Sequence, residues 1–218
     1  YLPRGTERLE KLGELKEYQK NIILNEPGEV PTFCYVVKKG QVLCFELSYE
    51  GEQRIYNIME EGSVFMEECL LFDKPCPVTF RTLTTCELVK IDKCDLKRAF
   101  KKDIDVVMDI CESMSSKFLS SMELIRFGPH NSAEWKLCKM LVIFAQHNGI
   151  EHPDGSVEFR KRISQQMLGD LLGMNRVTVA RKIKELKDQG LFIVTENNRQ
   201  IIPSIKELER HMIAMERD

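Results

Sequence analysis

The stretch Ile163-Ser-Gln-Gln-Met-Leu-Gly-Asp-Leu-Leu-Gly-Met-Asn-Arg-Val-Thr-Val-Ala-Arg-Lys-Ile-Lys-Glu-Leu186 decides the reading of the C-terminal half. Ser164 is a good N-cap, and Gly173-Met174-Asn175 breaks the apolar periodicity with a tight turn. Leu168, Leu172, Val179, Ile183 and Leu186 fall on one inner face, while Gly169 and Ala180 are small enough for two helices to cross closely. Two short helices joined by a Gly-containing turn form a helix-turn-helix. The N-terminal outer face of the second helix carries Arg176, Val177 and Arg181, the places that reach base edges when such a helix enters a major groove. Arg pairs with guanine O6 and N7, and Val suits a thymine methyl. Ser164, Gln165, Thr178 and Lys184 stand where phosphates would lie.

Working outward, Gly190 suits a left-handed helix end. Phe192 to Thr195 and Gln200 to Ile202, around Asn197-Asn198, read as a hairpin wing, and Ser204 with Glu207 opens a last helix. Upstream, Asn131-Ser132 caps a helix bearing Trp135, Cys138, Leu141, Val142 and Ala145, and Pro153-Asp154-Gly155-Ser156 turns a hairpin. Charge agrees with this placement. From residue 160 to 191 there are eight Lys/Arg against three acidic residues, whereas the whole chain carries −2. A basic island in an acidic chain is what contact with phosphates requires of one domain only.

Ahead of Gly128-Pro129, which reads as a hinge, the period changes. Ile104, Val107/Met108, Cys111, Met114, Phe118, Met122 and Ile125 are spaced alternately by three and four. A seam of 3.5 residues held for about three heptads predicts a helix that packs on a copy of itself. Asp103 caps it, and Ser115, Ser116, Lys117 and Ser120 are read as its polar remainder. The dimer contacts expected are Ile104, Cys111, Met114, Phe118, Met122 and Ile125.

Residues 18 to 92 read as short strands closed by turns: Ile22 to Leu24, Phe33 to Val37, Val42 to Leu47, Arg54 to Met59 and Leu88 to Ile91. Regular strands each ended by Gly suggest a sandwich or barrel. The eight cysteines include no C-x-x-C pair and read as reduced, buried thiols, so no metal site and no cofactor are expected. No nucleophile–base constellation or Gly-rich phosphate loop argues for an enzyme. No apolar run approaches the roughly 20 residues a membrane span needs. The chain starts at Tyr1 with no signal-peptide pattern, and the expectation is a cytoplasmic protein without membrane contact.

Gly28-Glu29, Gly40, Gly51, Gly62-x-x-Phe65, Glu68-x-x-Leu71-Phe72 and Asn175-Arg-Val-Thr-Val-Ala-Arg181 together resemble the CRP/FNR superfamily of transcription regulators. The resemblance runs the length of the chain. It implies an α+β fold: an N-terminal β-roll (double-stranded β-helix, cupin-like) sensor over 1–102, a dimerisation helix over 103–127, and a winged helix-turn-helix over 128–218. It also implies a homodimer on palindromic double-stranded DNA, contact with RNA polymerase, and control by a small effector.

The departures shape the rest of the expectation. In cyclic-nucleotide-binding members a Gly-Glu step and a later Arg-Ser pair cradle the phosphate. Here Glu67 is read in place of the Gly, Glu68 as the acid, and the pair is missing, with Arg81 out of register. Two carboxylates without a cation repel a phosphate, so tight binding of cyclic AMP is not expected. An apolar pocket between roll and dimer helix is expected instead, lined by Tyr35, Phe45, Tyr56, Phe65, Glu68, Leu71, Met114 and Phe118, for an aromatic or organohalide effector. Most members carry Glu where Val177 stands, which shifts the half-site toward A·T and is similar to the organohalide-respiration (CprK-type) regulators. Alternatives are a redox- or Fe–S-sensing regulator of the same fold using cysteines, and a cyclic-nucleotide-binding module. No cysteine precedes Cys34 in a sequence that does not begin with Met, which leaves an N-terminal Fe–S cluster open, and all four histidines follow the long helix, which argues against a haem in the roll.

Overall fold

The structure, a computed structural model, describes residues 6–48, 51, 53–126 and 132–215, with side chains described to 122 in the long helix. The expected hinge at Gly128-Pro129, the cap residue Asn131, most of the turn at Tyr49 to Glu52 and the side chain of Ile125 lie outside the described residues. The chain divides into two compact units, Tyr1–Arg126 and Phe127–Asp218.

The first unit opens with a one-turn helix, α1 (Glu7–Glu10), and then two antiparallel sheets. One sheet has the order β1-β7-β2-β5, with β1 at Glu14–Tyr18, β2 at Phe33–Lys39, β5 at Val64–Phe65 and β7 at Cys86–Asp92. The other has the order β4-β3-β6, with β3 at Val42–Leu47, β4 at Gln53–Met59 and β6 at Thr79–Thr82. Core side chains from both, among them Cys34, Val36, Cys44, Phe80, Leu88 and Ile91, form one buried cluster. Gly40, at φ +97, joins β2 to β3; a Cβ there would lie 2.6 Å from the Thr85 carbonyl oxygen. Only glycine accepts both that dihedral and that approach.

Several strand assignments change. Ile22 to Leu24 is not a strand: Ile23 makes a single bridge to Arg81, and the first strand is β1, whose Glu14, Lys16 and Glu17 hid it from a hydrophobicity reading. The strand β6 had no expectation, because its Thr-Phe-Arg-Thr pattern carries little apolar weight. A helix after β5, α2 (Glu67–Phe72), and one after β7, α3 (Lys93–Phe100), complete the roll before the long helix α4 (Ile104–Arg126). Asp103 Oδ1 accepts the Asp105 N–H at 2.9 Å, so it starts α4. Arg8 of α1 binds Asp109 of α4 with two hydrogen bonds of 3.0 and 2.9 Å, pinning α4 to the roll.

The second unit holds α5 (Ala133–Asn148), the hairpin β8 (Gly149–Glu151) and β9 (Val157–Phe159), α6 (Gln165–Leu172), α7 (Arg176–Asp188), the hairpin β10 (Ile193–Val194) and β11 (Gln200–Ile202), and α8 (Ile205–Met215). Its four strands form one sheet, β10-β11-β9-β8, beside the helices. Ser132, Ser164 and Asn175 each cap a helix through a side-chain oxygen, accepting from Trp135, Met167 and Thr178 at 3.1, 3.0 and 2.8 Å.

Candidate nucleic-acid interface and sensor site

In the second unit, α6 and α7 cross at Gly169. A Cβ there would meet the Met174 carbonyl oxygen at 2.6 Å, and the Gly169 carbonyl accepts the Met174 N–H at 2.9 Å. Gly173, in the left-handed region at φ +63, ends α6 and turns the chain into α7. Val179, Ile183 and Leu186 bury one face of α7. The opposite face is open: Arg176, Val177, Arg181 and Lys184 are exposed, with Val177 78% accessible. Arg181 makes a long 3.9 Å ion pair with Glu185. Thr178 and Gln165 are half-buried beside this face, and Ser164 is exposed, its hydroxyl hydrogen still free to donate while its oxygen caps α6. The seven residues named for DNA contact therefore lie on α6 and α7 or at the cap between turn and helix. Arg160, Lys161 and Arg162, exposed just ahead of α6, extend the basic surface.

In the first unit, α4 has two unlike faces. Val106, Asp109, Ile110, Ser113 and Ser116 are buried against the roll, and Met114 packs partly against the core. Ile104, Met108, Cys111, Ser115, Phe118 and Met122 are exposed, as is Leu119. These exposed positions keep the alternating spacing of four and three. Met114 thus leaves the expected seam, and Ser115 takes its place. Ser116 and Lys117 turn toward the roll, not to solvent as expected. Phe118, at 64% accessible, does not line its own roll.

The expected apolar pocket is also corrected. Tyr35, Phe45 and Phe65 are packed core: Phe65 lies 5.2 Å from Tyr35 and 4.8 Å from Phe80 between ring centroids, and the Tyr35 hydroxyl meets that of Tyr18 at 2.9 Å. Tyr56 points outward and donates to Glu46 Oε2 at 2.6 Å. Leu71 is partly buried against the core. A recess of about 140 Å³ lies elsewhere, near Val30, Thr32, Phe33 and Met66.

A charged cluster stands between roll and helix. Lys117 Nζ lies 2.6 Å from Glu67 Oε1 and 2.8 Å from Glu68 Oε2, and Ser113 Oγ donates to Glu67 Oε1 at 3.1 Å. The cation that the sequence reading found missing comes from α4, about fifty residues downstream, so no local motif could announce it. The register of the Gly-Glu step changes too. Met66, at φ +70, holds the left-handed backbone that favours glycine, so the acidic position following it is Glu67, wholly buried. Burial raises the Glu67 carboxyl to about 7 against the pull of Lys117. Burial acts on Glu68 in the same sense, but Lys117 outweighs it and holds Glu68 below the usual range. Among the described residues Oε2 of Glu67 finds no hydrogen-bond partner. Arg81 stacks over Phe45 at 4.7 Å and donates to Gln53.

The thiols named in the sequence are all free, and burial pushes Cys44 and Cys69 up to about 12. Among the described residues no group of three or more His, Cys, Asp and Glu is placed to hold a metal ion, and no helix is long and apolar enough to cross a membrane.

Residues 15–103 match the cyclic nucleotide-binding domain, and residues 136–211 match the Crp-like helix-turn-helix domain, in that order along the chain. The chain belongs to the CRP/FNR family of transcription regulators. It is 27% identical over 181 residues to the cAMP-activated global transcriptional regulator CRP of Haemophilus influenzae, covering 82% of this chain and 79% of that one. It is 24% identical over 194 residues to the global nitrogen regulator of Synechocystis, covering 88% and 85%. The fold is similar to that of CooA from Carboxydothermus hydrogenoformans, with a TM-score of 0.81 at 17% identity over 94% of this chain and 90% of that one. It is equally similar in kind to CprK with OCPA bound, with a TM-score of 0.76 at 16% identity over 95% of each chain. This CRP/FNR regulator is a DNA-binding protein with an effector-binding domain.

Proposed function

We propose that this CRP/FNR regulator binds a palindromic operator as a homodimer through α7, under the control of a small effector other than cyclic AMP, and contacts RNA polymerase. The observation that carries the reading is the pairing of two exposed faces: the open Arg176–Val177–Arg181 surface and the apolar heptad stripe Ile104–Met108–Cys111–Phe118–Met122. An apolar stripe of that spacing is stable in water only when covered, and a second copy covers it with matching periodicity. Val177 favours a T·A step in each half-site.

The effector reading is narrower than an apolar cavity. The space between roll and helix is governed by Lys117 and its two carboxylates, and Lys117 and Arg81 are already committed to other groups. A cyclic phosphate would have to break an ion pair before it gained one. An aromatic or organohalide effector of the kind bound by the CprK-type subgroup needs no such exchange. Burial and raised pKa values leave Cys44 and Cys69 little thiolate at neutral pH, which counts against a redox role for these two.

Selection of purified, reduced protein on a random double-stranded library tests the core of this reading. Enrichment of a palindrome with half-sites about one helical turn apart supports it. Sequence-blind enrichment with and without candidate effectors overturns it. Calorimetry with cyclic AMP is expected to show no sub-micromolar site.

A further inference from the structure

Lys182 belongs to the basic run of α7, yet it turns away from the face that meets DNA. Its Nζ donates to Glu134 Oε2 at 2.8 Å and to Glu185 Oε2 at 2.5 Å, and its side chain is only 20% accessible. The other oxygen of the same carboxylate, Glu134 Oε1, lies 2.7 Å from His211 Nε2. One side chain thus joins α5, α7 and α8. Glu134 stands in the first turn of α5, where the helix dipole favours a carboxylate. Burial would raise its pKa, but the hydrogen bonds from Lys182 and His211 outweigh burial and hold it below the ordinary range.

The apolar contacts of Val179, Ile183 and Leu186 set how far α7 sits from its neighbours, but they are non-directional and resist rotation about the helix axis weakly. With side chains a helix has a radius of about 5–6 Å, so a turn of some 10° moves a side-chain tip by about 1 Å. That is more than the window of roughly 0.5 Å within which a hydrogen bond to a base edge keeps its strength. A directional tie on the flank of α7 removes that freedom.

We propose that Glu134 is a positioning residue for base reading: by bridging Lys182 and His211 it fixes the rotation of α7, so that Arg176, Val177 and Arg181 meet the groove in one register. Lys182 then acts as an internal counter-ion and not as a phosphate ligand.

The test compares Glu134→Gln, Lys182→Met, His211→Gln and Lys182→Arg on the selected operator and on a random duplex, each over a salt series. Glu134→Gln and Lys182→Met are expected to lose about tenfold on the operator, the scale of one misread base pair, with affinity for random duplex and the salt slope unchanged. His211→Gln, which keeps a donor, and Lys182→Arg, which keeps the charge, are expected to stay within about threefold of the parent protein on the same scale. Equal losses on both duplexes for Lys182→Met, with a salt slope reduced by about one, would make Lys182 a phosphate contact and overturn the proposal. Unchanged operator affinity in Glu134→Gln would overturn it as well. Thermal midpoints of the variants separate a lost fold from a lost register, and the nearly isosteric Glu134→Gln decides if Lys182→Met is unstable.

Discussion

Glu67 and Lys117 form a 2.6 Å ion pair that ties the buried start of α2 to the middle of α4. The carboxylate is fully buried and the ammonium 19% accessible, so each depends on the other for the hydration it has lost. Lys117→Met removes the cation and leaves Glu67 and Glu68 facing each other. It is expected to cost about 3 kcal/mol or more at pH 8, the scale of breaking a buried pair. Urea unfolding monitored by circular dichroism measures this, and a loss below about 1 kcal/mol would show that Lys117 behaves as a surface ion.

The same cluster sets a pH dependence. The folded-state pKa of Glu67 is raised to about 7, above that of an unfolded chain near 4.3. Between those values the native protein keeps a proton that the unfolded chain has released. The contribution of Glu67 to stability is therefore present in full below about pH 4 and is lost as pH rises through about 7. Glu67→Gln, neutral at every pH, is expected to flatten the fall in the urea midpoint between about pH 5 and pH 7.5. A parent profile flat across that window, or one that Gln does not alter, would contradict this assignment.

The elements of the second unit, and β2, β3, β4 and β7 of the first, were readable because each signal was local. Caps at Ser132 and Ser164, the turn at Gly173 to Asn175 and the short apolar runs of β2 and β3 depend on neighbours within a few residues. The exposed residues of α7 were readable for the same reason, since one helical period separates its two faces. The sensor site was not. Lys117 meets Glu67 across some fifty positions, and the heptad pattern assigned it to solvent because a lone Lys on a helix is usually solvated. Tyr35 and Phe65 looked like pocket walls in sequence, but Tyr35 stacks on Phe65 and Phe65 packs on Phe80 in the core, and aromatic residues offer no sequence signal that separates the two roles. Met66 hid the Gly-Glu step by holding a glycine conformation without being glycine.

Gly169 packs tightly against the turn that starts α7. Gly169→Ala places a methyl group about 2.6 Å from the Met174 carbonyl oxygen, so the backbone must move. A loss of about 1–3 kcal/mol is expected, the range for overpacking. DNA affinity should fall with it, because the displaced turn carries the cap of α7. A shift in thermal midpoint of the second unit without any shift in the first would place the effect correctly, and no shift would mean that the crossing is looser than the geometry indicates.

The exposed stripe on α4 gives a test of assembly. Phe118→Asp and Met122→Asp each put a charge where the reading places a partner's apolar side chain, whereas the roll-facing Met114→Leu conserves volume and hydrophobicity. Sedimentation is expected to show dimer for the parent protein and Met114→Leu, and monomer for Phe118→Asp at micromolar concentration. Operator affinity should drop in parallel, since one half-site binds more weakly than two. A dimer that survives both Asp substitutions would move the interface elsewhere on the surface.

Arg181 and Lys184 stand three residues apart on the same exposed face of α7, yet different roles follow from their chemistry. Arg181 has a planar fork, matched to guanine O6 and N7, and its ion pair to Glu185 is a long one. Arg181→Ala is expected to cost about 1–3 kcal/mol on the operator and to relax preference at one base pair of each half-site. Lys184 is a point charge one turn further from the base edges. Lys184→Ala should weaken operator and random duplex alike and reduce the salt slope by about one per subunit. Val177→Glu, on the same face, should shift preference toward C, whose N4 amine a carboxylate can accept from and a thymine methyl cannot match. Parallel selections with the three variants read all of these outcomes. Equal losses of Arg181→Ala on specific and random DNA would leave phosphate binding as the only task of that side chain.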